Sequence, residues 1–360
     1  MSYFTYEEIV TAVQLLCDEY STKTQLLRLP NLSVQSRPIY AIAIGETRGK
    51  NRRTAIIVGG VHAREWVPPD ALVSLSADLL EASVSGTGLR YGGAYFDKET
   101  ISRILADLQL VVLPCANPDG RVYSQEVDPN WRKNRAPVGS RGRSICYGVD
   151  LNRNFSVAWD FHRCFAPESG VSASDDPCDY QVYVGPTAGS EPETRNIVWL
   201  LDHFVKTEWF VDVHASWPAV FHNWGLDKNQ TVRPEQNFLN SIFDGKRGID
   251  TDAVYGEYIE SSDLDEANRL SRVMGDTIRL VHGDNYDVGQ SFSLYPTSGA
   301  SDDYAYGRHR ENPALSRVLG FTMECGHNFQ PNWQTREKVI QEVSAALVGL
   351  ASDVSRSSLT

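Results

Sequence analysis

Apolar and polar positions along the chain repeat in two periods that take turns. In TYEEIVTAVQLLCDEY (5 to 20), Ile9, Val13, Leu16 and Cys17 recur at helical spacing behind a threonine able to cap, which predicts a first helix. IYAIAIG and RTAIIVGG follow as two short apolar runs separated by polar turn residues, and read as strands. PDALVSLSADLLEA predicts a second helix, opening on Pro and Asp, residue types favoured in a first turn. LQLVVLP (108 to 114), WFVDVH (209 to 214) and FTMEC (321 to 325) predict further strands, each with polar or chemically competent residues near its end. NWQTREKVIQEVSAALVGLASDV predicts a long amphipathic closing helix. With no internal repeat and no low-complexity linker, this alternation predicts an α/β fold, a single domain over residues 1–360 with helices packed on a mixed sheet.

Composition narrows the partners. A chain of 360 residues with 41% apolar residues can bury a large core. Its formal net charge of -12 argues against a nucleic-acid partner, which needs clustered Lys and Arg to neutralise phosphates. No apolar run approaches the roughly 18 to 20 residues of a membrane span, so no membrane partner is expected. The start, MSYFTYEEIVTAVQLLCDEY, is acidic and amphipathic and lacks the basic opening, apolar stretch and cleavage site of a secretory signal. The expectation is a cytoplasmic protein, with a trimmed secreted form as the alternative. Of the six cysteines, Cys17, Cys115 and Cys325 read as buried small hydrophobes. Cys146, Cys164 and Cys178 cluster in a loop-rich region where one bridge can form and one thiol must stay free.

The chemistry starts where TAIIV ends in Gly59 and Gly60 and the chain then delivers His62, Arg64 and Glu65. The glycines let the backbone leave the strand sharply, and His62 and Glu65, three apart on one turn, face the same side. An imidazole and a carboxylate so placed are two of the three ligands a catalytic zinc takes, with water at the fourth position. The spacing is neither His-Glu-x-x-His nor His-x-x-Glu-His, since Trp66 follows Glu65, so a third ligand has to come from elsewhere. His214 closes WFVDVH and offers an imidazole at a second strand end, where open α/β sheets build their sites. Taken alone, a surface pair and a hydrogen-bonded core histidine explain these residues better than a metal does.

Seven motifs, GGVHAREW, NPDGRVYS, NWRKNR, GVDLNRNF, VDVHASW, YPTSGASDDYAY and FTMEC, extend the pattern. In their order and rough spacing the chain resembles the zinc metallocarboxypeptidases of the pancreatic carboxypeptidase A and B type (peptidase family M14), from near its start to the closing helix. The resemblance implies one catalytic domain with a mixed, roughly eight-stranded twisted sheet flanked by helices. It also implies one Zn2+ per chain and removal of single residues from the C-termini of peptides or proteins. It makes His62, Glu65 and His214 the zinc ligands, and Asp150 the carboxylate that receives the other ring N–H of His62. Glu324 matches the general base that takes a proton from zinc-bound water, and Arg132 the cation that stabilises the developing oxyanion. Asn152 and Arg153 match the pair that binds the substrate's terminal carboxylate, for which a guanidinium offers a bidentate fork, with Arg64 assisting deeper in the cleft or along it. Tyr295 matches the mobile tyrosine that closes over substrate.

Asp302, seven residues after Tyr295, falls at the floor of the family's specificity pocket. There aspartate goes with the B-type preference for C-terminal Lys or Arg, and an apolar residue with aromatic or aliphatic preference. An Asp302 hydrogen-bonded away from the pocket would instead leave broad specificity. The sequence departs from the pancreatic enzymes in a longer segment near 231–263, read as an insertion, and in Ala215 and Ser216 after His214. Cys146 and Cys178 fall at the family's disulfide positions, with Cys164 a competing partner for Cys178. A monomer is expected. Zinc amidases and deacylases of related fold share the two-His, one-Glu set, and a binding protein that has lost catalysis is the remaining alternative.

Overall fold

The apolar runs form the middle of an eight-stranded mixed sheet in the computed structural model, which describes residues 2–46, 51–251 and 253–356. In chain order the strands are β1 (Thr24–Arg28), β2 (Tyr40–Ile44), β3 (Thr54–Gly59), β4 (Gln109–Leu113), β5 (Thr207–His214), β6 (Ala219–His222), β7 (Asp287–Gln290) and β8 (Leu319–Glu324). They lie side by side as β1-β2-β4-β3-β5-β8-β6-β7. The central β4, β3, β5 and β8 are parallel. β2 runs antiparallel to both β1 and β4, and β6 antiparallel to β8 but parallel to β7.

Successive residues of a strand point to opposite faces, so each central strand feeds two cores. Ile57, Leu110, Val112, Val211 and Val213 enter one, with apolar residues of the helices Tyr6–Glu19, Val67–Ser85, Ser261–His282 and Trp333–Arg356. Ile56, Val58, Val111, Leu113 and Phe210 enter the other, with Leu151, Phe155 and residues of the helices Pro192–His203 and Ser301–Glu311. A central strand covered on both sides carries a continuous apolar run, which is why these strands are legible in the sequence. The first helix is capped as its sequence predicts: Glu8 N donates to Thr5 Oγ1 at 3.2 Å, and Thr5 N donates to Glu8 Oε2 at 2.8 Å. The second begins at Val67, two residues before the stretch that predicts it, with Pro68 and Pro69 in its first turn.

The cysteines sort as their surroundings require. Cys146 and Cys178 are bridged, and Cys17, Cys115, Cys164 and Cys325 are free and buried. No helix among the described residues is long and apolar enough to cross a membrane.

The 231–263 segment has a polar interior of its own. Gln230–Thr231 pairs with Glu257–Tyr258, and the chain between them wraps the fully buried Arg247. That guanidinium donates to the carbonyls of Cys164 and Asn237 at 3.1 Å and to Asp244 Oδ1 at 3.2 Å. Glu257, also fully buried, accepts from Tyr255 Oη at 2.6 Å and from Phe238 N at 3.0 Å.

Burial pushes the Glu257 carboxyl up from 4.5 to about 7. The raised folded value means the native state favours the protonated acid. That contribution is full below the unfolded value and is lost as pH rises through about 7. The difference corresponds to on the order of 3 kcal/mol. Urea unfolding at pH 5 and pH 8 should therefore show a larger loss of stability for the unsubstituted protein than for Glu257→Gln; equal losses would rule out Glu257 as a source of the pH dependence.

Candidate active site

Three central strands end at one place. After β3, Gly60 takes a left-handed φ of 67° and turns the chain under Pro69, so that His62 and Glu65 follow on a single turn. Glu65 N donates to the His62 carbonyl at 3.3 Å. β5 delivers His214 at its last residue, and β8, in parallel register, sets Glu324 directly beside it. The polar groups thus stand beyond the carboxyl ends of the parallel strands.

His62, Glu65 and His214 are buried, and one ligand atom from each lies within 4.8 Å of the others. His62 Nδ1 is 2.8 Å from Glu65 Oε1, His214 Nδ1 is 3.1 Å from Glu65 Oε2, and the two Nδ1 atoms are 3.0 Å apart. The outer nitrogens face carboxylates: His62 Nε2 lies 3.2 Å from Asp150 Oδ1 and His214 Nε2 lies 3.0 Å from Asp212 Oδ2. When each ring is neutral with its proton on the nitrogen facing a carboxylate, both Nδ1 lone pairs and a carboxylate are aimed at one point. Such a donor set fits a divalent zinc. Burial opposes ionisation of Glu65, yet the two imidazoles hold it well below the usual carboxylate range. Burial also disfavours a charged His214, but Asp212 and Glu65 raise it well above an ordinary imidazole.

Beside this cluster a cavity is lined by Arg132, Asn152, Arg153, Tyr295, Asp302 and Glu324, with apolar wall from Phe221, Leu294 and Ala300. Arg132 Nε donates to Asp150 Oδ2 at 2.9 Å, leaving its terminal nitrogens for the cavity. Arg153 donates from Nε to Ser172 O and from Nη1 to Asn152 O, both at 2.6 Å, and its buried Nη2 has no partner. Asn152 accepts on Oδ1 from Ser301 N at 2.8 Å, so its amide N–H donors are left over. Gly299, at φ 63°, lets the 296–300 turn lie against this pair, since a Cβ there would stand 2.6 Å from Arg153 O. The Arg153 guanidinium sits 5.7 Å from the Tyr295 ring centroid.

Glu324 keeps some exposure at the cavity, yet desolvation by its surroundings pushes its carboxyl up to about 7. Asp302 is 2% exposed, accepts from Ser291 Oγ at 2.7 Å on Oδ2 and from Asp303 N at 2.9 Å on Oδ1, and lines the cavity. Arg64 stands apart from the cavity lining, with Nη1 donating to Gln181 Oε1 at 2.8 Å and its guanidinium 4.4 Å from the Phe329 ring centroid. Asp212 and Ser301 escape the sequence reading. The one available signal is that Asp212, two residues before His214, shares its face of β5.

Comparison with known proteins agrees with this geometry. The family profile described as zinc carboxypeptidase matches residues 9–346. The chain is 28% identical over 308 residues to carboxypeptidase B of Astacus astacus, covering 85% of this chain and 82% of that protein. It is 27% identical over 306 residues to carboxypeptidase A2 of Mus musculus, covering 85% of this chain but 60% of that protein. Among solved structures, bovine thrombin-activatable fibrinolysis inhibitor, in complex with tick carboxypeptidase inhibitor, superimposes with a TM-score of 0.73 at 20% identity, over 99% of this chain and 98% of that one. Carboxypeptidase A from Helicoverpa armigera gives 0.72 at 22% identity, over 99% and 75%. These two similarities establish the mixed-sheet fold, and the profile match spans nearly all of it. The chain belongs to the zinc carboxypeptidase family, whose members are metal-dependent exopeptidases acting on peptide bonds.

Proposed function

We propose that this protein removes single residues from the free C-termini of peptides or proteins, with preference for Lys and Arg. The observation that carries the reading is one cavity bounded by unpaired cationic donors on one side, Glu324 on another and the Asp302 carboxylate in its wall. In this reading the Arg153 fork and the Asn152 amide hold the terminal carboxylate, a group that only a free C-terminus offers. Tyr295 covers the bound residue. His62, Glu65 and His214 hold one zinc, which when bound polarises the scissile carbonyl and lowers the pKa of water. Glu324 takes up the proton released on attack and hands it to the departing amine. The terminal nitrogens of Arg132 stabilise the negative charge that develops on the carbonyl oxygen.

The orphan Arg153 Nη2 favours this reading over a zinc amidase or deacylase, since a substrate without a terminal carboxylate leaves it unpaired. The test is a chromogenic peptide with a free C-terminus alongside its C-terminally amidated counterpart. Cleavage of the free acid alone is expected, with about one zinc per chain by elemental analysis and activity lost to a chelator. Equal cleavage of both peptides, or full activity in metal-free protein, would refute the assignment.

A further inference from the structure

Neither the motif resemblance nor the proposed reaction uses Asp212 or Ser301. Asp212 is fully buried on β5, and its Oδ1 has no hydrogen-bond partner. Among the described residues its ion-pair partner is His214, whose Nε2 stands 3.0 Å from Oδ2 without meeting hydrogen-bond geometry. The same Oδ2 accepts from Ser301 Oγ at 2.6 Å. A carboxylate this deep, with no guanidinium or ammonium against it, is costly unless a cation on the far nitrogen of the imidazole beside it polarises that ring.

Followed outward, the contacts close a ring. Ser301 N donates to Asn152 Oδ1 at 2.8 Å, and Asn152 N donates to Asp150 Oδ1 at 3.0 Å. Asp150 Oδ1 faces His62 Nε2 at 3.2 Å, and His62 Nδ1 returns to His214 Nδ1 at 3.0 Å. The six residues His62, Asp150, Asn152, Ser301, Asp212 and His214 are all buried. Each imidazole thus has its own carboxylate, and the two carboxylates are joined through the amide that lines the substrate cavity.

We infer that Asp212 is a positioning residue: it orients His214 as a metal ligand and, through Ser301, fixes the Asn152 amide that receives the substrate's carboxylate. This rests on the ligand and carboxylate-binding roles proposed above. Because Asp212 and Asp150 act on different imidazoles, each is needed for full metal affinity. Because Ser301 bonds to Asp212 through its hydroxyl and to Asn152 through its backbone, a change at Asp212 is felt at both sites.

The experiment compares the unsubstituted protein with Asp212→Asn, Asp212→Ala and Ser301→Ala, measuring zinc affinity by competition with a chelator of known strength. It adds the visible absorption of the cobalt(II) forms, and kcat and KM separately on a free-acid peptide. Asp212→Asn, which keeps the shape and loses the charge, should weaken zinc binding by about 10-fold, and Asp212→Ala by up to about 100-fold, with an altered cobalt spectrum. Ser301→Ala should raise KM more than it lowers zinc affinity. If Asp212→Ala does not fold, the isosteric Asp212→Asn decides. Unchanged zinc affinity and cobalt spectrum in Asp212→Asn would overturn the inference. Absence of zinc binding by the unsubstituted protein would overturn the ligand assignment itself, and this inference with it.

Discussion

Glu324→Gln should lower kcat by about 10³-fold while zinc content stays near one per chain, because general acid–base transfer by a placed carboxyl contributes roughly 10² to 10⁴. The residue closes β8 beside His214 but is not one of the three groups converging on the ligand point. The amide preserves volume and much of the hydrogen bonding while removing the only property the shuttle needs, a proton that can be taken up and released. KM should change little, since the groups that hold the terminal carboxylate are elsewhere in the cavity. Elemental analysis and steady-state kinetics on one preparation suffice. Near-normal turnover would remove Glu324 from the reaction, and loss of zinc in the variant would show that the ligand set is wrong.

The second large effect is on selectivity. Asp302 lies in the cavity wall with Ser291 Oγ on one oxygen and the Asp303 amide on the other, which holds the carboxylate in place and leaves each oxygen a further lone pair. A substrate ammonium or guanidinium about 4 Å away gains roughly 4 kcal/mol at an effective dielectric of ~20, or about 10³-fold in kcat/KM. A Phe or Leu side chain there buries the carboxylate without a partner. The unsubstituted enzyme should therefore favour peptides ending in Arg or Lys over those ending in Phe or Leu by about 10² or more, and Asp302→Ile should reverse the order. A preference for Phe or Leu in the unsubstituted enzyme, or a ratio that the substitution leaves unmoved, would show that Asp302 does not set specificity.

How much of this is legible in the sequence follows from how local each feature is. The metal cluster is legible because His62 and Glu65 sit on one turn and His214 ends an apolar run, so each carries a local signature. The central strands are legible because burial on both faces makes them continuously apolar. β7, reading DVGQ at the sheet edge, has no such run, and the four residues of β6 and the half-exposed β1 give too little pattern. The helices Lys98–Asp107 and Ser261–His282 carry many charges between their apolar positions, which hides their period. Asp212 and Ser301 are 89 positions apart, and nothing in either stretch reports their contact. Arg64 is a different case: its motif is intact, but whether a long side chain enters a cavity or lies on Phe329 is decided by packing that a motif does not encode.

The bridge between Cys146 and Cys178 has a consequence for the substrate side of the site. It spans 32 positions, and Asp150, Asn152 and Arg153 all lie within the closed ring of chain. In the chain-entropy description, closing a ring of that size disfavours the unfolded ensemble by about 3 to 4 kcal/mol, a gain shared by the whole cooperatively folding domain. Asn152 and Arg153, and with them the Asp150 partner of His62, thus lie on a covalently closed ring, whereas the zinc ligands His62, Glu65 and His214 lie outside it. The redox state of the surroundings therefore bears on both functions, on recognition through Asn152 and Arg153 and on the metal site through the Asp150 partner of His62.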